Sequence, residues 1–307
     1  MKPVLRKYWL AAIPGLWLTV FLLLPVAIVL KISLARAQLA VPPYSALFTW
    51  VDGKLEILAT LNNYLLVLSD PVYLLAIADS VEIAAVSTLL CVLIGYPMAW
   101  AIAKAAPAKR NLLLVLVVMP SWVSFLIRIY AWMALLSNSG YINSVLMALG
   151  LIGEPIQMLH TDFAVYIGIV YAYLPFMILP IYTNLIRLDY RLVEAAQDLG
   201  ATPWRAFWQV ILPLSRTGVV TGCLLVFIPA IGEFVVPELL GGADTLMVGR
   251  LLWQEFFNNR DWPVASALTI VLLAVIVLPM VYWYRYRRAG TRAFALTAAP
   301  IEGATRP

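Results

Sequence analysis

The chain has 307 residues, of which 63% are hydrophobic and only 12% are charged. Soluble domains are about half apolar, so this composition excludes an ordinary soluble domain and predicts an integral membrane protein. The formal net charge of +5 is modest, and we expect no nucleic-acid partner.

Residues that usually carry chemistry are scarce. Cys91 and Cys223 both fall inside apolar segments, where we expect packing roles and no disulfide. His160 is the only histidine and has no cysteine nearby, so we expect no metal site. The sequence contains no Walker A motif, no Gly-x-Ser-x-Gly and no His-Glu-x-x-His. It therefore predicts no catalytic centre, no nucleotide site and no cofactor bound by this chain.

The N-terminal part, 1–78, combines one long apolar run with a mixed polar region. The run 8–32 follows a basic start and precedes a signal-peptide-like Ala35-Arg36-Ala37. A signal peptide's apolar region has about 7–15 residues, whereas this run can span a bilayer, so we assign it as the first transmembrane helix. Beyond it, 55–68 is predicted to form a short interfacial helix. Turn signals in this region occur at Pro42-Pro43, Asp52-Gly53 and Asp70-Pro71.

A core of five further apolar segments is predicted within 79–284. They lie at about 79–103, 112–136, 163–186, 217–236 and 263–284. The apolar stretch at 142–151 is too short to cross, and a basic tail occupies 285–307. The sequence therefore predicts an all-α membrane protein with six transmembrane helices.

The distribution of charge predicts the orientation. The N-terminus, the turn 104–110, the loop 187–216 and the tail hold fifteen Lys and Arg against four Asp and Glu. The other three loops hold four basic and ten acidic residues. Because cytoplasmic loops carry the excess of basic residues, we expect both termini and the 187–216 loop to be cytoplasmic.

The loop 187–216 has the pattern of two short amphipathic helices. Gly200 is the expected left-handed stop of the first helix, Thr202 and Pro203 are the expected start of the second, and Pro213 is the next expected break or kink. Two sets of residues have the apolar spacing of one helix face, Leu192, Ala195, Ala196 and Leu199, then Trp204, Phe207, Trp208 and Ile211. By pattern alone, a plain interfacial loop and a docking surface for a soluble partner both remain open.

The order of residues in this loop resembles the EAA loop of ATP-binding-cassette (ABC) importer permeases. The matching positions are Glu194, Ala195, Ala196, Gly200, Phe207, Val210, Leu212 and Pro213. Many members of that family have proline where this chain has Thr217, which leaves the start of the following helix less defined. The resemblance implies a type I importer permease fold and a coupling loop that docks on a cytoplasmic ATPase. It also implies that Glu194 meets a basic group there and that Gly200 makes the turn.

The same resemblance implies a multi-subunit importer in a bacterial inner membrane. Its other members would be a second permease, two ATPase subunits carrying ATP and Mg²⁺, and a periplasmic solute-binding protein. Several stretches are similar to the polyamine branch of the family and within it to the permeases of putrescine importers. They are 94–97, 120–122, 125–128, 166–173, 227–242 and 253–263. Spermidine or another small cationic solute stays open as the cargo. Two other classes of protein also stay open, an ion-coupled secondary transporter and a membrane-embedded enzyme.

Ionisable residues inside predicted spans indicate either structural ion pairs or a polar path. Counting along straight helices places Glu82, Arg128 and Glu233 in one layer near the outer surface, so Arg128 can pair with either carboxylate. Alternatively a carboxylate, first of all Glu233, faces the substrate path. The predicted path residues are Glu233, Glu82, Arg128, Tyr130, Trp132, Tyr173 and Glu238. The Gly218-x-x-x-Gly222 spacing predicts a close helix contact, either within the chain or with a second permease.

Overall fold

The computed structural model describes residues 3–51 and 54–297, and within them it is mainly helical. The chain divides into two compact units, 1–69 with 255–307, and 70–254. Five helices of the described part are long and apolar enough to cross a membrane. A sixth span results if the helices Pro107–Trp122 and Phe125–Ala148, which meet at 89°, are taken together.

The first unit contains the N-terminal and C-terminal helices. They are α1 (Pro3–Ser33), β1 (Phe48–Val51), β2 (Lys54–Ile57), α2 (Asn62–Ser69) and α13 (Trp262–Thr297). The two strands pair antiparallel, Phe48 opposite Ile57 and Val51 opposite Lys54. Helix α1 packs on α13, yet its apolar window has no buried residue, as expected for a helix that faces lipid or another subunit.

Two predictions for this unit need correction. The interfacial helix expected at 55–68 begins only at Asn62, because Lys54–Ile57 pairs with a strand that the sequence reading did not recognise. The basic tail expected from 285 begins inside α13, which continues to Thr297. The turn signal at 52–53 and residues 298–307 lie outside the described residues.

The second unit is a helical bundle. Its elements are α3 (Pro71–Lys104), α4 (Pro107–Val118), a 3-10 turn (Met119–Trp122), α5 (Phe125–Leu136), α6 (Tyr141–Ala148), α7 (Asp162–Leu185), α8 (Arg191–Asp198), α9 (Pro203–Ala206), a π turn (Phe207–Ile211), α10 (Leu212–Ile231), α11 (Val235–Leu240) and α12 (Val248–Trp253). Helices α3, α7 and α10 pack on one another and form the core of this unit.

Glycines allow α7 and α10 to approach closely. A Cβ added at Gly218 would lie 2.8 Å from the Pro180 carbonyl oxygen, and one at Gly222 would lie 2.6 Å from the Met177 sulfur. The Gly218-x-x-x-Gly222 spacing therefore serves a contact within the chain, which settles the alternative left open by the sequence.

Three predicted spans differ from the observed helices. Helix α3 begins eight residues early, because the Asp70 side chain caps it by accepting from Val72 N at 2.9 Å and Pro71 occupies its first turn. The third predicted span is not one straight helix, since the 3-10 turn containing Pro120 separates α4 from α5. Helix α10 ends at Ile231, and α11 begins after a short turn. Depths counted along straight helices are consequently wrong for Arg128 and Glu233.

Candidate coupling segment and polar residues of the bundle

The coupling segment, residues 187–216, has the predicted helix–turn–helix geometry. Gly200 follows α8 with φ of 89°, a conformation that glycine adopts without strain. The amide nitrogens of Gly200 and Ala201 donate back to carbonyls of the last turn of α8 at 2.8 and 3.0 Å. Thr202 then caps α9, its hydroxyl oxygen accepting from Arg205 N at 3.3 Å, and Pro203 occupies the first turn. Local capping chemistry thus explains the turn.

Of the break or kink predicted at Pro213, the break is absent. Helix runs without interruption from Pro203 to Ile231, and Pro213 lies in the first turn of α10. Proline lacks the N–H that would bond back to Gln209, and the π turn Phe207–Ile211 resets the hydrogen-bond ladder just before it. The second coupling helix is therefore the continuation of a membrane span.

The segment has one face in the bundle and one face outside it. Val193, Ala206 and Ile211 are buried in the core of the second unit. On the other face Leu199 is 89% exposed and Trp204 is 69% exposed. An exposed apolar pair on an amphipathic loop is what a docking surface for a soluble partner requires.

The predicted coupling residues divide between these faces. Glu194, Ala195, Gly200 and Pro213 are exposed, and Ala196, Phe207 and Leu212 are partly buried. Phe207 and Leu212 pack against the core cluster of α3, α7 and α10. The exposed residues can meet a partner, whereas Phe207 and Leu212 attach the segment to the bundle.

Glu233 is a buried structural acceptor in the turn between α10 and α11. Its side chain is 8% exposed, and its two carboxylate oxygens accept from Tyr173 Oη at 2.6 Å and from Val235 N at 3.1 Å. The glutamate thus accepts from the first amide of α11 and ties that turn to α7. Both oxygens have protein partners in this conformation.

Arg128 does not form either predicted ion pair. Among the described residues no carboxylate oxygen lies within 4.0 Å of its guanidinium, which sits 5.5 Å from the Phe125 ring centroid. Its Nε is buried and has no hydrogen-bond acceptor among the residues that the structure describes. Arg128 and Glu233 are therefore not in direct ionic contact.

Glu82 belongs to a different group of side chains. It lines a pocket of about 120 Å³ at the end of the bundle remote from the coupling segment. The pocket is acidic, with carboxylates from Asp79, Glu82, Asp162 and Asp244. Thr245 donates to Asp162 at 2.6 Å. Neither Arg128 nor Glu233 lines this pocket, so the structure does not bring the three residues of the predicted layer together in one group.

The remaining predicted path residues are spread over this half of the unit. Tyr130 is exposed on α5, and Trp132 packs edge-to-face on Tyr171 at 5.4 Å between ring centroids. Glu238 forms an ion pair with Arg250 at 2.8 Å. The sequence reading missed Arg250, which also donates to two loop carbonyls and holds the connection between α11 and α12.

A bundle of five or six long apolar helices, with α9 continuing through the π turn into the span α10, defines a multi-pass membrane protein. Comparison with known proteins agrees. Residues 91–291 match the family model of the binding-protein-dependent transport system inner membrane component. The chain belongs to this family.

Two curated relatives are similar over most of their length. The chain is 41% identical over 282 residues to the spermidine/putrescine transport system permease protein PotB of Haemophilus influenzae, covering 91% of this chain and 93% of that protein. It is 40% identical over 268 residues to PotB of Escherichia coli K12, covering 87% and 93%. These relatives are permease subunits, and the ATPase of such importers is a separate subunit, so the chain is not an enzyme.

The fold also matches a solved importer. A crystal structure of a bacterial ABC transporter that imports alginate has a chain with a TM-score of 0.66 and 17% sequence identity. The match covers 92% of this chain and 96% of that one. The type I importer permease fold expected from the sequence is therefore confirmed.

Proposed function

We propose that this chain is a permease subunit of an ATP-driven importer for polyamines and forms half of its translocation pore. The observation that carries the proposal is the identity of about 40% to two spermidine/putrescine permeases over nearly the whole chain. Within this class we propose putrescine as the main cargo, on the sequence stretches similar to putrescine importers. Spermidine is the second candidate, because the names of both relatives include spermidine as well as putrescine.

The acidic pocket supports a cationic cargo. Four carboxylates at the end remote from the coupling segment create a negative potential, which concentrates cations at the mouth of a cleft. A polyamine carries several positive charges, so it gains more from this field than a monovalent cation does. We propose that the acidic pocket attracts the cationic cargo.

The coupling segment supports attachment to an ATPase. Glu194 is exposed at the start of the docking face and is proposed to meet a basic group of the partner. The complete importer would contain a second permease, two ATPase subunits with ATP and Mg²⁺, and a periplasmic binding protein. It would lie in a bacterial inner membrane with both termini of this chain in the cytoplasm.

For the substrate path we propose two kinds of residue. Glu82, Tyr130 and Glu238 have exposed side chains and can face a polyamine. The second kind supports the path without facing the polyamine, and it comprises Arg128, Trp132, Tyr173 and Glu233. Glu233 acts through its hydrogen bond to Tyr173.

The test is ATP-dependent uptake of radiolabelled putrescine, with spermidine as rival, into proteoliposomes that contain the complete complex. Wild type is compared with Glu194→Ala and with Glu154→Ala, an exposed carboxylate outside the coupling segment. We expect putrescine uptake that disappears in Glu194→Ala and persists in Glu154→Ala. Uptake of neither amine by an assembled wild-type complex would remove polyamines as cargo, and uptake without ATP would contradict the importer itself.

A further inference from the structure

Helix α3 is attached to the coupling segment by aromatic side chains. Phe207, in the π turn, has its ring centroid 5.3 Å from that of Trp100 and 5.6 Å from that of Tyr96. Tyr96 and Trp100 are one helical turn apart on α3. The Tyr96 hydroxyl also forms a buried hydrogen bond of 2.8 Å with Ser215 Oγ on α10. One turn of α3 is thus joined both to the coupling segment and to the span that continues it.

Both helices have a defect in their hydrogen-bond ladders at this contact. Pro97 lies between Tyr96 and Trp100 and has no N–H to donate to the Leu93 carbonyl. Opposite it, Phe207 begins the π turn. Prolines and π turns are both recognised causes of helix bending. The contact therefore joins two points at which these helices can bend.

The layer around this contact is incompletely hydrogen-bonded. Trp100 Nε1 and Tyr190 Oη are buried, and neither has a partner among the described residues. Buried polar atoms are normally paired, so these two are exceptions among side chains that pack against the same core cluster as Phe207. Lys104 holds the outer face of the same tryptophan, with Nζ 4.3 Å from the ring centroid.

We propose that Tyr96 and Trp100, held against Phe207, form a joint that carries movement of the coupling segment into α3, with Pro97 as its hinge. The inference rests on the proposed function, since it assigns positioning residues to the coupling of ATP hydrolysis with transport. Movement of the second coupling helix reaches α10 directly, because the two are one helix. Through the joint the segment 97–104 of α3 bends with it, so two spans respond together.

The first experiment measures polyamine transported per ATP hydrolysed in the reconstituted complex. Trp100→Leu removes the ring contact, Trp100→Phe keeps an aromatic ring, and Trp17→Leu is the matched control on the exposed surface of α1. We expect Trp100→Leu to lower the ratio roughly tenfold, with assembly and hydrolysis preserved, and Trp100→Phe to restore most of it. Trp17→Leu should leave the ratio unchanged. A parallel fall of assembly, hydrolysis and transport, or an unchanged ratio, contradicts the joint.

The second experiment does not depend on the cargo. Spin labels replace the exposed Ala85 and Ala101, on either side of Pro97, in a complex whose Cys91 and Cys223 are alanine. The labels are about 24 Å apart along α3. We expect trapping of the complex with ATP and vanadate, which leaves ADP and vanadate bound after hydrolysis, to change this distance by a few ångströms, and Trp100→Leu to abolish the change. A distance that stays constant in the assembled complex overturns the inference. A changing distance without polyamine uptake leaves the joint intact and rejects only the proposed cargo.

Discussion

At the residue scale, Glu233 shows how one carboxylate can connect distant elements. A charged residue inside an apolar span is energetically costly, and for this reason the sequence predicts a functional or structural role for Glu233. The structure adds its hydrogen-bond partners, Tyr173 and Val235. Tyr173 is 60 residues away along the chain, so no local pattern could identify it. The charge needs these hydrogen bonds because an unpaired carboxylate in an apolar interior is strongly destabilising.

We predict that the Tyr173–Glu233 bond stabilises the bundle. Tyr173→Phe removes the donor and should lower the free energy of unfolding by about 1.5–3 kcal/mol, whereas Glu233→Gln keeps an acceptor oxygen without the charge and should lower it by less. The double variant should be less destabilised than the sum of the two, since both change the same interaction. The measurement is thermal denaturation in nanodiscs, analysed as a double-mutant cycle. Strictly additive effects would show that the bond contributes nothing.

Gly200 is the residue on which the coupling turn depends. A side chain there meets no neighbour within 4 Å, so the cost of Gly200→Ala is backbone strain at φ of 89°, about 1–2 kcal/mol. We expect Gly200→Ala to weaken ATP-driven uptake and Gly200→Asn to weaken it less, because asparagine tolerates this conformation better. Gly153→Ala is the control, since its site is equally open and its φ is not in the left-handed range. Equal uptake by Gly200→Ala and Gly153→Ala would contradict the argument.

At the element scale, the packing of α7 against α10 depends on the absence of side chains. At Gly218 an added Cβ meets the Pro180 carbonyl, which is backbone and cannot turn away. At Gly222 the nearest atom is the Met177 sulfur, which can move. The spacing of the glycines predicted a close contact, but only the structure identifies α7 as the neighbour.

We predict that Gly218→Ala destabilises the bundle by about 1–3 kcal/mol, the usual cost of overpacking, and Gly222→Ala by less. Gly15→Ala on α1 serves as control, because nothing lies within 4 Å of an added Cβ there. Thermal denaturation of the three variants in nanodiscs measures the difference. The explanation fails if Gly218→Ala unfolds at the same temperature as Gly15→Ala.

At the scale of the whole molecule, orientation in the membrane is still a prediction from charge. The basic loops are expected inside the cell and the acidic ones outside. This arrangement puts the coupling segment where ATP is available and the acidic pocket where cargo arrives, which agrees with the proposed direction of transport.

We predict that Leu39→Cys reacts with a membrane-impermeant maleimide in intact cells, whereas Lys109→Cys reacts only after permeabilisation. Both positions are exposed, so reactivity reports the side of the membrane. The parent chain with Cys91 and Cys223 replaced by alanine measures background labelling. The reverse pattern would invert the topology and exclude docking of 187–216 on a cytoplasmic ATPase.

The sequence alone determined the class of the protein, the approximate positions of the spans and the two helices of the coupling segment. A transmembrane span can be predicted from the length and hydropathy of a segment. The turn of the coupling segment can be predicted from Gly200, Thr202 and Pro203, because its hydrogen bonds join residues that are close in the chain. Local residues sufficed because the interactions concerned are local.

Tertiary structure decided what depends on contacts between distant segments. The break between α4 and α5, the new helix α11, the separation of Glu82 from Arg128 and the contact of Trp100 with Phe207 all belong to this group. In an apolar span almost every residue is hydrophobic, so the sequence carries little information about which face meets which neighbour. The complementary packing of side chains between helices determines which faces meet, and this packing exists only once the bundle has formed.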